Sequence, residues 1–328
     1  MKLIQGDCLV ESNQIESGSV DLILTDPPYG TMGGKNRNKI KRFVELGNWD
    51  LAIDPKNIYE IANRILRKNG KMILFSQEPY TSKMISESIP NVPFSYRAIW
   101  EKDNFAFALG TNKNMVSFYE DILIFSKDQC KNAKHPLRRI MSKYVEKYGK
   151  EYLIELFLKE GRYSSELSAR VHSSYKFGFN NGMRFDLMDE KMFVFLSEFI
   201  EFEEEYCQLK KIDNLYKLKF ASTFNLWEGN KYKSNILKYK KDYDGFHPTQ
   251  KPVLLLEDLI KTFSNENYLV VDLTMGSGST GVACKRTNRK FIGIEKDEKY
   301  FEIAKKRIEN DIVQTELFIW LTKTQKQA

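Results

Sequence analysis

Residues 20–30 read VDLILTDPPYG and join a buried strand to a polar, proline-rich end. The run from 20 to 24 is rich in Val, Ile and Leu, as in a strand covered on both faces of a parallel sheet, and two consecutive prolines end it. Asp26, Pro27, Pro28 and Tyr29 therefore lie at the carboxyl end of a strand, where open α/β sheets form their ligand crevices. The stretch predicts an α/β fold with a site at residues 26–29.

The turn at residues 26–29 offers hydrogen-bond acceptors to an amino group. Its prolines fix the backbone and carry no amide hydrogen, so the carbonyls point outward. The Asp26 carboxylate and the Pro27 carbonyl can accept both N–H bonds of a nucleobase amine and direct its lone pair at a methyl group. Tyr29 supplies a face on which a base can stack. The tripeptide Asp-Pro-Pro by itself also fits a simple strand-ending turn.

A second glycine-rich stretch lies near the other end of the chain, within residues 270–300. Its pattern predicts a strand, a tight turn, a helix and another strand, at 269–273, 276–281, 279–286 and 291–294. Glu295 ends the second strand, where an acidic side chain can bind ribose hydroxyls. The spelling Gly-Ser-Gly-Ser-Thr-Gly also matches a dinucleotide fingerprint, so a nicotinamide- or flavin-dependent oxidoreductase is an alternative.

The position of this glycine turn decides how the sheet is assembled. Only 47 residues follow Gly281, and they are too few to complete a doubly wound sheet. The remaining strands must come from the N-terminal part of the chain. The order predicts a circularly permuted doubly wound domain with the substrate half first and the cofactor half last.

The order of these motifs resembles that of the beta group of amino-directed DNA methyltransferases, which use S-adenosylmethionine. Gly6-Asp7-Cys8, placed before the first strand, resembles the family's GDC turn, and residues 247–252 resemble its HPTQKP segment. The resemblance covers roughly residues 1–127 and 245–310. It implies a circularly permuted, Rossmann-like class I methyltransferase sheet with helices on both faces, plus an inserted, mainly helical target recognition region. We therefore expect a catalytic part at 1–127, a recognition region at 128–246 and a cofactor-binding part at 247–328.

The resemblance also assigns cofactor contacts. Asp7 would lie near the cofactor adenine, Thr249 and Lys251 near the methionine carboxylate, and Asp272 on the methionine amino group, while the main chain of residues 276–279 would lie against methionine and ribose. The full set of expected cofactor-binding residues is Asp7, Cys8, Thr249, Lys251, Asp272, Thr274, Gly276, Ser277, Gly278, Ser279, Thr280 and Glu295.

The resemblance implies direct methyl transfer to the amine of a nucleotide turned out of duplex DNA. An Asp at the first motif position goes mostly with adenine N6, whereas cytosine N4 enzymes of the group more often carry Ser there. We therefore expect an adenine-specific enzyme, with a cytosine N4 enzyme as the alternative within the class. A catalytically inert DNA-binding protein would explain the charge distribution but would leave the acceptor turn and the cofactor loop without a role.

Basic blocks in the middle region predict a DNA-tracking surface. Residues 131–184 hold 12 Lys and Arg against 5 Asp and Glu, and residues 210–241 hold 9 against 2. Short helices at 140–156, weakened by Gly149, at 164–171 and at 188–202 suggest a helix-turn-helix-like reader, or an insertion that only packs on the catalytic domain. A basic, glycine-flanked loop at 35–42 would border the catalytic pocket. The candidate DNA contacts are Lys35, Arg37, Lys39, Arg42, Arg162, Arg170, Lys176 and Arg184.

Composition sets the broad class. The 328 residues allow one large domain and a smaller one, and the net charge of +7 is compatible with a polyanionic partner. The 4 Cys and 3 His are too scattered to predict a zinc site or a disulfide framework, so we expect reduced thiols and no metal. Without a signal peptide or a bilayer-length apolar run, we expect a cytoplasmic protein, encoded by a bacterium or phage. A homodimer and a cognate restriction endonuclease are possible partners.

Overall fold

The protein was analysed as a computed structural model, which describes residues 1–30, 51–106, 115–127, 135–180, 185–220, 222–243 and 250–311. Contacts between Cα atoms divide the chain into two compact units. The first comprises Met1–Gln129 and Ser222–Ala328, and it contains the sheet. The second comprises Cys130–Ala221 and is helical.

The first unit is built on one eight-stranded sheet. Its strands have the spatial order β1-β8-β7-β2-β3-β5-β4-β6. Adjacent strands pair in parallel except on either side of β5, which runs antiparallel to both β3 and β4. The strands are β1 (Lys2–Gln5), β2 (Val20–Thr25), β3 (Leu66–Ser76), β4 (Phe94–Ala106), β5 (Ser117–Ser126), β6 (Ile236–Lys238), β7 (Leu269–Asp272) and β8 (Lys290–Glu295).

The centre of the sheet joins the two ends of the chain. Strand β2 pairs in parallel with β7, with Leu22 opposite Val270 and Ile23 opposite Val271. From β7 the sheet continues through β8 to β1, and from β2 it continues through β3. The strand order therefore reverses between β2 and β7, and a doubly wound sheet binds its ligands at such a switch point. The predicted permuted fold is confirmed.

Successive side chains of the central strands enter opposite cores, as the pleat requires. Leu22 and Leu24 pack into one core and Ile23 packs into the other. Val20 also packs into the second core, because the pairing of β2 with β3 shifts register between Val20 and Leu22. The first core is covered by α9 (Val253–Phe263), α10 (Ser279–Arg286) and α11 (Glu298–Asn310), and the second by α1 (Cys8–Glu11), α2 (Pro55–Ile65) and α3 (Tyr80–Ser86). Burial on both faces explains why residues 20–24 are so apolar.

Helix α2 illustrates how local sequence fixes an element of this domain. The Asp54 carboxylate accepts a hydrogen bond from the Lys56 backbone N–H, and Pro55 occupies the first turn, where its missing N–H costs nothing. Its apolar residues recur at helical spacing and are buried at Ile58, Ile61, Ala62 and Ile65.

Two details of the sheet differ from the sequence analysis. Strand β1 precedes the Gly6-Asp7-Cys8 turn, so this turn follows the first strand and does not come before it. Strand β1 has four residues, too few for a sequence pattern to predict a strand. It forms because it pairs in parallel with β8. The short strand β6 was not anticipated for the same reason; it is added in parallel to the edge strand β4.

The helical unit has its own hydrophobic core. Gly149, with φ of +83°, separates α4 from α5, as the sequence indicated. The helix expected at 164–171 extends further, and that expected at 188–202 is shorter. The helix nearest the unit's C-terminal end was not anticipated. These helices are α4 (Pro136–Tyr148), α5 (Lys150–Lys159), α6 (Glu166–Phe177), α7 (Glu190–Ser197) and α8 (Tyr206–Phe220). Residues 222–246, assigned above to the recognition region, belong to the unit that holds the sheet.

Within the described parts of the chain, no helix combines the length and the apolar character needed to cross a bilayer.

Candidate active site

The catalytic turn and the cofactor loop meet where β2 and β7 end side by side. The Thr274 hydroxyl donates a hydrogen bond of 3.0 Å to the Asp26 carbonyl oxygen and lies 2.8 Å from the Thr25 hydroxyl. Residues almost 250 positions apart in sequence are thus tied together directly at the carboxyl edge of the sheet. Thr274, expected as a cofactor contact, fixes the catalytic turn.

Both oxygens of the Asp26 carboxylate have donors. The Tyr29 hydroxyl donates to Oδ1 and the Lys251 ammonium donates to Oδ2. Each carboxylate oxygen has a second lone pair, so Asp26 retains capacity to accept a hydrogen bond from a substrate. Among the described residues, no donor reaches the Pro27 carbonyl oxygen. Asp26 and Pro27 therefore offer the pair of acceptors that the sequence indicated.

A second carboxylate, Glu120, lies at the centre of this cluster and was missed by the sequence analysis. Its Oε1 lies 2.9 Å from the Tyr29 hydroxyl oxygen, whose single hydrogen is shared between Glu120 and Asp26, and 3.0 Å from the Lys251 ammonium nitrogen. Its Oε2 lies 2.8 Å from the ammonium nitrogen of Lys102. Because β5 runs antiparallel to its neighbours, the beginning of β5 reaches the edge where β2 ends. A strand whose other residues mostly fill the core thereby supplies a site residue.

Burial makes the charges of this cluster strongly interdependent. Burial raises the pKa of Asp26, although Lys251 opposes the shift. Burial would raise the pKa of Glu120 as well, but Lys251 and Lys102 lower it to about 2. For Lys251, burial favours the neutral amine, but Asp26 and Glu120 raise its pKa above the ordinary value. Burial and the two carboxylates raise the pKa of Tyr29, so its hydroxyl remains a hydrogen-bond donor.

The cofactor loop contains a buried carboxylate without an ammonium or guanidinium ion pair among the described residues. Asp272 is 3% exposed and accepts hydrogen bonds from the Thr280 hydroxyl at 2.6 Å and from the Thr274 backbone N–H at 3.1 Å. Burial raises the pKa of Asp272 to about 6, against the effect of the hydroxyl donors. A cationic ligand group would stabilise the ionised form of such a buried carboxylate. This fits the expected contact of Asp272 with the methionine amino group.

The backbone of the same loop leaves room for a ligand. Gly276 has φ of +52°, and a Cβ built on it would meet no atom within 4 Å. Its N–H donates to the Glu295 carboxylate at 2.8 Å, and burial raises the pKa of Glu295. Asp7 caps the turn after β1 by accepting from the Leu9 N–H at 2.9 Å. Three acidic groups around an open glycine turn fit a cofactor that carries an ammonium, a ribose diol and an adenine amine.

The serines of the loop face the protein. Arg307 of α11 lies 3.3 Å from the Ser277 hydroxyl and 2.9 Å from the Ser279 hydroxyl, and it donates to both. The serine hydroxyls are thus engaged with Arg307, so any contact of Ser277 and Ser279 with the cofactor is expected from their main chain. Arg307 holds the loop in place, a role that the sequence did not reveal. Cys8 is buried in the core, where burial raises the pKa of its thiol to about 12.

Gly278 tests the tightness of this loop. Its φ is +80°, and a Cβ at this position would approach the Ala304 Cβ to 2.9 Å. We expect Gly278→Ala to lower the free energy of unfolding by about 1–3 kcal/mol, because the strained φ and the steric clash with Ala304 both destabilise the folded state. Urea denaturation measures this loss. Gly276→Ala is the matched control, with a strained φ but open space; an equal loss in both would assign the effect to φ alone.

The expected DNA contacts are partly outside the described residues. Lys35, Arg37, Lys39, Arg42 and Arg184 lie there, as does Thr249 of the cofactor set. Arg162 is paired with Asp189 and Glu160, and Arg170 with Glu151 and Glu166. The Lys176 ammonium donates to the Leu187 carbonyl at 3.2 Å. The two arginines thus already have acidic partners in their own unit, and their contacts with DNA stay predictions.

Across the described ranges, no cluster of His, Cys, Asp and Glu has the arrangement of a metal site.

Comparison with known proteins agrees with this geometry. The family model described as DNA methylase matches residues 20–306. The type II methyltransferase M2.DpnII of Streptococcus pneumoniae is 41% identical over 311 residues, covering 94% of this chain and 90% of that relative. The DNA adenine methyltransferase YhdJ of Escherichia coli is 26% identical over 310 residues, covering 94% and 82%.

A solved structure supports the fold independently. The PvuII DNA methyltransferase, a cytosine-N4-specific enzyme, aligns with a TM-score of 0.54 at 14% identity, covering 96% of this chain and 89% of that one. A structural similarity at this low sequence identity supports the fold alone. The family match, by contrast, covers the acceptor turn and the cofactor loop, so it rules out the oxidoreductase and inert-binder alternatives. The chain belongs to the DNA methylase family of N6- and N4-type methyltransferases.

Proposed function

We propose that this DNA methyltransferase transfers a methyl group from S-adenosylmethionine to the N6 amine of an adenine turned out of a DNA duplex. The observation that carries the proposal is the placement of two acceptors, the Asp26 carboxylate and the Pro27 carbonyl, directly beside the cofactor loop through Thr274. An exocyclic base amine has two N–H bonds, and these acceptors match them.

The residues of the turn act on the amine by orientation. Its lone pair is delocalised into the base, which makes it a weak nucleophile. When Asp26 and Pro27 accept its two N–H bonds, the nitrogen becomes pyramidal and its lone pair is aimed along one direction. The amine becomes acidic as its new bond to carbon forms, so its proton can leave late to Asp26 or to water. Asp26 therefore need not be a strong base.

S-adenosylmethionine would supply an electrophilic methyl group on a sulfonium, whose bond to that methyl breaks as the bond to nitrogen forms, leaving a neutral thioether. Asp272 would hold its methionine amino group, Glu295 its ribose hydroxyls and Asp7 its adenine, with the main chain of residues 276–279 alongside. The carboxylates suit a ligand with a positive centre. Lys251, expected at the methionine carboxylate, is paired with Asp26 and Glu120.

Adenine is the proposed base for two reasons. The first motif residue is Asp26, and the relative YhdJ carries the name of an adenine methyltransferase. Cytosine N4 is the second candidate, since its amine presents the same two N–H bonds. Tyr29 would stack on the extruded base, with its hydroxyl held by Asp26 and Glu120.

The remaining assignments complete the proposal. The region 128–246 would recognise the DNA sequence, with the catalytic part at 1–127 and the cofactor-binding part at 247–328. Phosphate contacts from basic residues would position the duplex. A homodimer, a cognate restriction endonuclease and a cytoplasmic location are also part of the proposal. Of these three, the restriction endonuclease is the one that relatives bearing type II methyltransferase names favour.

Product analysis tests the proposal. Purified protein is incubated with unmethylated plasmid DNA and S-adenosylmethionine carrying a labelled methyl group, and the DNA is digested to nucleosides. We expect the label in N6-methyldeoxyadenosine. Label in N4-methyldeoxycytidine would retain the mechanism and change the base, whereas unlabelled DNA from protein that binds the cofactor would contradict the proposed function.

A further inference from the structure

Four charges alternate in sign at the acceptor turn, and all but Asp26 are buried. They run from Asp26 through Lys251 and Glu120 to Lys102. The side chains of Lys251, Glu120 and Lys102 are only 7%, 5% and 4% exposed. Aromatic rings line the two lysines, with Phe75 at 5.1 Å from one ammonium and Trp100 at 4.9 Å from the other. In so apolar a place, each charge depends on its neighbours.

Glu120 contacts both side chains that donate to Asp26, and it forms no hydrogen bond with the Asp26 carboxylate itself. Its Oε1 receives the Tyr29 hydroxyl and the Lys251 ammonium. These are the donors to Asp26 Oδ1 and Oδ2. One carboxylate oxygen thus fixes the positions of two donors, and the two donors fix the plane of the catalytic carboxylate.

The same contacts set how strongly Asp26 attracts a new donor. Lys251 divides its ammonium between two carboxylates. If Glu120 lost its charge, Lys251 would lose one of its two carboxylates in this cluster and would pair more strongly with Asp26, so Asp26 would become a weaker acceptor for an incoming amine. The Tyr29 hydroxyl would likewise have Asp26 as its one remaining carboxylate partner within this cluster.

We propose that Glu120 is a positioning residue for the methyl transfer: through Tyr29 and Lys251 it holds the Asp26 carboxylate in the orientation that accepts the target amine. The inference rests on the proposed function, since it concerns the step at which that amine binds. Glu120 need not touch the base, and its effect falls on the rate of the bound complex and not on the affinity for DNA or cofactor.

A purely structural role for Glu120 is the competing explanation. In that case its function is to neutralise the buried Lys102, which lies 2.8 Å away. Glu120→Gln would leave one uncompensated positive charge and destabilise the protein. The double variant Lys102→Met/Glu120→Gln removes one charge of each sign and restores the balance, while the donor-holding carboxylate is still missing. The two explanations therefore predict different rates for the double variant.

The test compares full-length wild type, Glu120→Gln and the double variant, with Glu101→Gln as control. Glu101 neighbours Lys102 on β4, is 45% exposed at its side chain, and pairs with Lys238 at 3.1 Å. For each protein, one measures the thermal midpoint, cofactor and DNA dissociation constants, and the single-turnover rate on a duplex carrying the site mapped with wild type. A duplex with 2-aminopurine at the target position reports base extrusion by fluorescence.

We expect Glu120→Gln to slow methyl transfer about 10- to 100-fold, in line with the cost of small misplacements near reacting groups. Dissociation constants and the 2-aminopurine signal should stay within about threefold of wild type. The double variant should regain thermal stability and remain equally slow, and Glu101→Gln should match wild type. A wild-type rate in Glu120→Gln, or recovery of the rate in the double variant, would overturn the inference while the proposed function stands. Failure of wild type itself to methylate DNA would refute both.

Discussion

Asp26→Asn should slow methyl transfer by about 100- to 1000-fold while leaving DNA binding intact. The magnitude follows from the effect of removing one preorganised hydrogen-bonding group from a transition state. The variant should fold but lose stability, because Lys251 loses one of its two carboxylates in this cluster. Tyr29 and Lys251 both donate to Asp26. An asparagine has one acceptor oxygen and one NH2 group, so it would satisfy only one of these donors and turn its NH2 toward the other. The incoming amine would then lose its charged acceptor.

Single-turnover kinetics with saturating cofactor measure this effect, and a DNA-binding assay run in parallel gives the affinity. Asp103→Asn is a matched control, because Asp103 follows Lys102 on β4 and caps the Lys241 N–H at 3.0 Å, a bond that an amide oxygen can also accept. We expect its rate to equal that of wild type. If Asp26→Asn kept more than about a tenth of the wild-type rate, the role given to the carboxylate would be wrong.

Asp272→Asn should weaken S-adenosylmethionine binding about 10- to 100-fold and, at neutral pH, make the protein without cofactor more stable. The buried carboxylate has hydroxyl and N–H donors but no cationic partner among the described residues, and burial raises its pKa to about 6. The ionised form is therefore poorly stabilised until a ligand ammonium is present. A neutral amide avoids this desolvation and cannot form the ion pair.

The pH dependence of stability gives the sign of this effect. The folded-state pKa of about 6 lies above the ordinary value of 3.8 for an aspartate. The native protein thus binds the proton more tightly than the unfolded chain, so this contribution to stability is complete below about pH 4 and is lost as pH rises to about 6. This contribution amounts to about 3 kcal/mol, because one unit of pKa difference corresponds to about 1.4 kcal/mol. Cofactor affinity should change in the opposite direction and fall as pH drops below about 6, because the ligand ammonium prefers the carboxylate.

Calorimetric titration with S-adenosylmethionine measures the cofactor affinity, and urea denaturation measures the stability. Both are carried out from about pH 4.5 to about pH 8, a range that spans the expected titration of Asp272. Asp21→Asn provides the contrast. Asp21 is a half-buried carboxylate of β2 that pairs with Arg67 at 2.6 Å and accepts from the Leu269 N–H. Loss of that pair should cost about 3 kcal/mol and leave cofactor affinity unchanged. An Asp272→Asn protein that bound the cofactor normally would refute the assignment of Asp272.

The sequence predicted those parts of the site that lie on local patterns. Residues 20–24 had to be buried on both faces, so Asp26 had to follow at a strand end, and the glycine turn before Ser279 had to join β7 to α10. Their adjacency followed from the number of residues after Gly281, which could not complete a sheet. These inferences needed only periodicity, strand ends and chain length.

The residues that the sequence did not reveal depend on topology. Glu120 lies in an apolar strand and becomes a site residue because β5 runs antiparallel, a direction that local sequence does not encode. Lys102 enters the cluster as the partner of Glu120 across two paired strands. Arg307 reaches the cofactor loop from a surface helix whose packing on the sheet sets its direction. Long-range pairing, not propensity, brought these side chains together.

A structure of the protein with duplex DNA containing the mapped site and sinefungin, a cofactor analogue that carries no transferable methyl group, would test the central claim most directly. The measured quantity is the distance from the target amine nitrogen to Asp26 and Pro27. We predict an extruded adenine whose N6 lies about 3 Å from an Asp26 carboxylate oxygen and about 3 Å from the Pro27 carbonyl oxygen. A target amine that met other acceptors, with Asp26 still bound only by Tyr29 and Lys251, would contradict the account.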